Sequence, residues 1–256
     1  MPPTPRQAIE LFHLHFARLL CAGPERGDFA IKGGGNLRFF FGSVRYSEDL
    51  DLDVQRIPVR TLRGKVDKLL DSPALALPLK ATGIAIAEVS APKQTETVQR
   101  WKMSLALNGR TAPLHTKVEF SRRERFEEAR IEPILPAIAA EHRLQPMILP
   151  HYPLEAALRQ KLSALVLRSE VQARDVFDLS TLLSRAGGDV SALAPLRRDF
   201  AKGIERALDL SFDDYQSQVV AYLAPDQVDA LGTPEAWDAI QTQVIEAIER
   251  AREGRP

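Results

Sequence analysis

The sequence predicts an α/β (α+β) fold in two parts, a mixed α/β lobe over residues 1–145 and an all-helical lobe over residues 146–256. Three observations lead there. Asp49 to Val54 alternates acidic and apolar side chains, the period-two mark of a strand with one apolar face. Upstream, Phe29-Ala30-Ile31, Gly33-Gly34-Gly35 and Asn36 to Phe41 read as strand, glycine turn and helix. After Pro153, Leu154, Leu158, Leu162 and Leu165 form a helical stripe, and almost everything beyond reads as helix.

In chain order, Ile9, Phe12, Phe16, Leu19 and Leu20 recur at helical spacing after Pro5, so an amphipathic helix opens the chain and ends near Gly23-Pro24. Following the strand, glycine turn and helix comes the acidic strand, and then Pro58 to Leu70 reads as helix. Alternating runs at Ile84 to Val89, Val98 to Leu107 and Leu114 to Phe120 predict an antiparallel continuation of the same sheet. Pro133, Pro136, Pro146, Pro150 and Pro153 crowd the junction, where proline breaks helices and stiffens a connection.

Composition excludes less. With 256 residues and 45% hydrophobic content the chain can bury a core, and 34 basic residues balance 34 acidic ones. No overall field therefore draws it to nucleic acid or membrane, and a polyanion must meet a local patch. The lone Cys21 cannot close an internal disulfide or supply a cysteine-rich zinc site, which fits a reducing compartment; a cytoplasmic location is expected. Arg6, Glu10, His13, His15 and Arg18 interrupt the first apolar pattern, which is neither signal peptide nor membrane span, and no membrane association is expected.

Within Arg45-Tyr46-Ser47-Glu48-Asp49-Leu50-Asp51-Leu52-Asp53, strand geometry puts Asp49, Asp51 and Asp53 on one face and Leu50, Leu52 and Val54 on the core face. Same-face neighbours lie roughly 7 Å apart, so at an effective dielectric of about 20 each repulsion is roughly 2 kcal/mol. Aspartate is also a poor strand former. Both costs are explained if a hard divalent cation such as magnesium neutralises the cluster and leaves sites for phosphate. A solvated acidic edge strand explains the run equally well when it is taken alone. The glycine turn upstream adds backbone amides suited to phosphate. Glu119, in Lys117-Val118-Glu119-Phe120, is the candidate third metal carboxylate, and an exposed alternating strand is its bland alternative.

On the helical lobe, Lys161 falls at the edge of the leucine stripe, either snorkelling or serving as a phosphate cation. Asp175 shares a face with Val176, Leu179 and Leu182, so it needs a partner such as Lys161, Arg168 or Arg174, unless it caps the helix with Asp178 at the third position.

Together these residues resemble the AbiEii/AbiGii nucleotidyltransferase toxin family, which includes the MenT-like toxins. Lys32-Gly33-Gly34-Gly35-Asn36-Leu37-Arg38 is similar to its lysine, glycine-pair and leucine signature, although a small residue such as threonine is usual where Gly35 stands. Arg45 to Leu52 resembles its arginine, serine and paired-aspartate block, which includes Ser47. Glu155 to Lys161, with Arg168, Arg174-Asp175 and Asp178-Leu179, resembles its helical block. The likeness covers about residues 8 to 185, and nothing in the last seventy residues carries a match.

The resemblance implies a polymerase-beta-like nucleotidyltransferase lobe and a helical lobe that completes the active-site cleft. By that likeness, Asp49 and Asp51 hold magnesium, and Glu119 remains the candidate third ligand from strand alternation. Lys32, Gly33, Gly34, Arg45 and Ser47 bind the nucleoside triphosphate. Lys161, with Asp175 or Asp178, acts from the second lobe. The implied reaction moves a nucleotide from a triphosphate to an acceptor, the 3′ end of a transfer RNA, in a type IV toxin and antitoxin system with the antitoxin encoded nearby. Arg122-Arg123-Glu124-Arg125, Arg159, Arg168 and Arg174 are the basic candidates for RNA contact. Rival readings are a small-molecule nucleotidyltransferase, a metal-dependent nuclease and a nucleotide-binding module without activity. The P-loop, protein kinase and Rossmann readings fail because their motifs are missing from the sequence.

Overall fold

The computed structural model describes residues 2–122 and 129–254, so Arg123, Glu124 and Arg125 of the basic cluster lie outside the described residues. Two compact units result: Met1–Phe40 with Ser47–Tyr152, and Phe41–Tyr46 with Pro153–Pro256.

The first unit opens with α1 (Pro5–Leu20). Thr4 accepts from the Gln7 amide while the Gln7 side chain accepts from the Thr4 amide, and Pro5 takes the first helical position, where no amide donor is needed. There follow β1 (Phe29–Lys32), α2 (Gly33–Phe41), β2 (Asp49–Val54), α3 (Val59–Leu70), α4 (Pro73–Ala81), β3 (Ile84–Gln94), β4 (Val98–Leu107), β5 (Leu114–Ser121), β6 (Arg130–Pro133), α5 (Pro136–Glu141) and β7 (Ile148–His151). The sheet runs β3-β4-β5-β2-β1-β7-β6. Two pairings are parallel, β2 with β5 and β1 with β7, and the others are antiparallel.

Alternation decides which face is core. Leu50, Leu52, Trp101, Val118 and Phe120 are fully buried, and α1, whose Phe12, Phe16 and Leu20 are fully buried too, packs against β4 and β5. Each such aliphatic or aromatic side chain contributes roughly 1.5–3 kcal/mol on burial. The opposite face of β2 and β5 carries Asp49, Asp51, Lys117 and Glu119, none of them fully buried.

The sequence places the lobe boundary at 145, whereas β7 lies beyond it and belongs to the first unit's sheet. The proline-rich stretch hides two short strands and α5. Pro133 ends the edge strand β6, where a missing donor costs little, and Pro150 falls inside β7, between β1 and β6. The α4 helix is also absent from the sequence reading, because Pro78 sits inside it.

The second unit holds α6 (Leu154–Leu167), α7 (Ala173–Arg185), α8 (Phe200–Leu208), α9 (Phe212–Gln218), α10 (Pro225–Leu231) and α11 (Pro234–Glu253). Its core joins Leu158, Leu162 and Leu165 of α6 to Val176, Leu179 and Leu182 of α7 and Val244 and Ile248 of α11. Tyr215 stacks on Trp237 with ring centroids 4.7 Å apart. The segment Phe41–Tyr46 joins this unit through a hydrogen bond donated by the Tyr46 amide to the Tyr222 carbonyl and a bridge between Arg45 and Leu223.

Candidate active site

In the first unit, register brings the acidic pair together with its neighbours. Asp51 lies opposite Lys32 on one side and Glu119 on the other, and Asp49 lies opposite Lys117. Burial pushes the Asp51 carboxyl above the ordinary carboxylate range. Asp49 and Glu119 push the same way, against Lys117 and Lys32. Lys117 Nζ reaches Asp49 Oδ2 at 2.7 Å, and Arg100 Nε reaches Glu119 Oε2 at 2.5 Å. Neither cation is among the sequence candidates, although period two already sets Lys117 on the Glu119 face.

Gly33 begins α2 directly against Asp51. Its φ of 62° lies in the left-handed region, and a Cβ there would stand 3.2 Å from Asp51 Oδ2. The glycines form the first turn of α2 itself, not a turn ahead of it, so the helix's unpaired amides start at Gly33 and Gly34.

Asp53 shares the strand face but is enclosed. Lys32 Nζ donates to its Oδ1 at 2.5 Å and Tyr152 Oη to its Oδ2 at 2.7 Å. Lys32 is thus tethered at the rim of the acidic pair. Ser47 Oγ donates to the Asp49 carbonyl at 2.8 Å, bracing the entry to β2.

The donor set of Asp49, Asp51 and Glu119 is oxygen only, and Asp51 is repelled by both its carboxylate neighbours. That chemistry fits a hard divalent cation. Among the described residues, three ligand-type side chains come within 4.8 Å of one another only at Glu10, Glu141 and His142. There Arg38 donates to Glu10 (2.7 and 3.1 Å) and to Glu141 (2.7 Å), and His142 Nε2 meets Glu10 at 2.6 Å. A guanidinium already fills the middle of this group, which ties α2 to α1 and α5.

In the second unit a buried cluster forms around Lys161. Its Nζ lies 2.5 Å from Asp178 Oδ2 and 3.2 Å from Asp175 Oδ1. Arg168 Nε donates to Asp175 at 2.7 Å, and Arg45 Nη2 meets both Asp178 oxygens at 3.1 and 3.0 Å. Burial would push the Asp178 carboxyl up, but Arg45 and Lys161 outweigh it and hold the group below its ordinary range. The capping explanation for Asp175 fails, because α7 starts at Ala173 with Gln172 as its cap. Of the basic candidates for RNA, Arg122 turns inward onto Gln99 (2.6 Å) and the Ile57 carbonyl (3.1 Å), and Arg168 serves Asp175.

A family model described as nucleotidyl transferase AbiEii toxin, type IV TA system, matches residues 16–252. No curated protein matches the sequence. Among solved structures, JHP933 from Helicobacter pylori is similar at 20% identity and a TM-score of 0.62, covering 99% of this chain and 94% of that one. MenT4, a nucleotidyltransferase toxin from Mycobacterium tuberculosis, is similar at 21% identity and a TM-score of 0.62, covering 97% and 85%. At these identities the structures establish a shared fold.

Proposed function

Because the chain belongs to the AbiEii family of nucleotidyltransferase toxins of type IV toxin and antitoxin systems, we propose that it moves a nucleotide from a nucleoside triphosphate to the 3′ end of a transfer RNA, with magnesium. Nucleotidyl transfer, a triphosphate substrate and an antitoxin partner follow from membership; the metal and the acceptor are the proposal. The observation that carries it is Asp51, half-buried between Asp49 and Glu119, with the start of α2 packed against its carboxylate.

Held by Asp49 and Asp51, with Glu119 as third ligand, magnesium would offset phosphate charge and favour loss of the acceptor hydroxyl's proton. The acceptor oxygen bonds to the α-phosphorus, the bond to the bridging oxygen breaks, and pyrophosphate leaves. The α2 amides at Gly33 and Gly34 cradle the triphosphate. Lys32, tethered by Asp53, which Tyr152 in turn holds, adds positive charge at the same rim, and Ser47 fixes the Asp49 backbone. In the second unit, Lys161 is read as a phosphate-stabilising cation held by Asp175 and Asp178, with Arg45 steadying Asp178. No described helix is long and apolar enough to cross a membrane; we read the site of action as the cytoplasm, where transfer RNA is found.

The test is incubation of purified protein with each α-labelled nucleoside triphosphate, magnesium and total transfer RNA, beside the Asp49→Ala, Asp51→Ala double variant. Label entering RNA with wild type alone supports the reading and identifies the donor. Label entering only small-molecule hydroxyls, or none at all, rejects it.

A further inference from the structure

A cleft of about 790 Å³ opens beside Asp49 on the polar side of β3, β4 and β5, within the range of ligand-holding clefts. Backbone register arranges its floor. Asp49 stands opposite Lys117, Lys117 opposite Lys102, and Lys102 opposite Ser90, so one cross-strand row runs from the acidic pair to the outer strand β3. The adjoining row sets His115 opposite Ser104 and Ser104 opposite Glu88.

The first row carries a cost that is relieved at one end only. Lys102 and Lys117 are like charges directly opposite on neighbouring strands, an arrangement that destabilises a sheet. Lys117 is compensated by Asp49 at 2.7 Å, while Lys102 is exposed and has no ion pair among the described residues. An anion lying over the row would remove the repulsion. The second row offers neutral donors and acceptors, with His115 Nδ1 3.3 Å from Ser104 Oγ, and Glu88 accepts from hydroxyl or amino groups.

Position supplies the second argument. The α2 amides that suit a triphosphate abut Asp51 from the β1 side, where Gly33 sits. In-line displacement brings the attacking oxygen from the side away from the leaving pyrophosphate. The cleft lies on that other side, beyond β5, and touches Asp49.

We propose that this cleft is the acceptor subsite, taking the terminal nucleotide of an RNA strand with its backbone phosphate on Lys102 and Lys117 and its ribose and base edges on Ser104, His115 and Glu88. The assignment rests on the transfer reaction proposed above. It makes Lys102 and His115 acceptor-binding residues that neither the aspartate pair nor the helical cluster identifies.

The test compares Lys102→Gln, and Lys102→Gln with His115→Ala, against wild type in initial-rate transfer to total transfer RNA over a range of salt. Expected is a rise of about tenfold in the KM for RNA, a salt slope smaller by about one, and a KM for the triphosphate that stays at the wild-type value. Lys80→Gln, at an exposed position of α4 outside the cleft, should match wild type throughout. If wild type labels RNA and both variants keep its RNA KM and salt slope, the subsite is wrong and the transfer reading stands. If wild type labels only small molecules or nothing, the transfer reading itself fails, and the subsite with it.

Discussion

Asp51→Asn should make the metal-free protein more stable while abolishing transfer. The reasoning starts from charge. Asp51 has carboxylate neighbours along β2 at Asp49 and across the sheet at Glu119, and burial already disfavours its anion. A same-face neighbour roughly 7 Å away repels by roughly 2 kcal/mol at an effective dielectric of about 20. Lys117 outweighs Asp49 and Lys32 outweighs Glu119, so it is burial that leaves a net gain, of about 1 kcal/mol, when the charge is removed. For a chain of this size that corresponds to a rise of about 2–4 °C in melting temperature. Magnesium should reverse the order. At ten times its dissociation constant a cation bound only to the folded wild type contributes about 1.4 kcal/mol, and the variant lacks a ligand to gain it. The assay is thermal unfolding of both proteins in chelator and along a magnesium titration. If Asp51→Asn melts below wild type in chelator and magnesium raises both equally, then Asp51 is a structural acceptor and the metal assignment is refuted.

Gly33→Ala should lose about 1–2 kcal/mol, because its φ of 62° strains any L side chain, and its new methyl meets Asp51 Oδ2; thermal melts and transfer rates should fall together. Arg45→Met strips buried Asp178 of its guanidinium but leaves Lys161 paired with it, and should cost about 1.5–3 kcal/mol in urea unfolding, while Arg45→Met with Asp178→Leu recovers part of the loss. Burial lowers the His13 pKa to about 3, and its Nε2 meets Thr116 Oγ1 at 2.7 Å while that hydroxyl donates to the Glu48 carbonyl. The folded state therefore excludes a proton that the unfolded chain binds below pH 6.5. Stability should fall by up to about 1.4 kcal/mol per pH unit from there down to about pH 3, and His13→Gln should flatten that slope in urea titrations between pH 7 and 5.

What the sequence reveals of this protein follows the range of the interactions. Alternation is local, so β2, β4 and β5 and the face that carries Asp49, Asp51 and Glu119 are legible from spacing alone. Helical periodicity is local too. It puts Asp175 on the core side of α7 and makes a cationic partner necessary, and the structure supplies Lys161 and Arg168 within fourteen residues of it. Arg45 and Asp178 are 133 residues apart, and nothing in either neighbourhood names the other. The same distance problem hides the link from Asp53 to Tyr152, 99 residues away, and that from Glu10 to His142, 132 residues away. Prolines obscure β6, β7 and α5 for a different reason: local propensity argues against regular structure there, and pairing with β1 overrides it. The carboxylates proposed for the metal are thus easier to read than the residues that hold them still. An aspartate in the middle of a strand breaks a local rule and so shows in the sequence, whereas the cation that balances it has only to arrive from elsewhere in the chain.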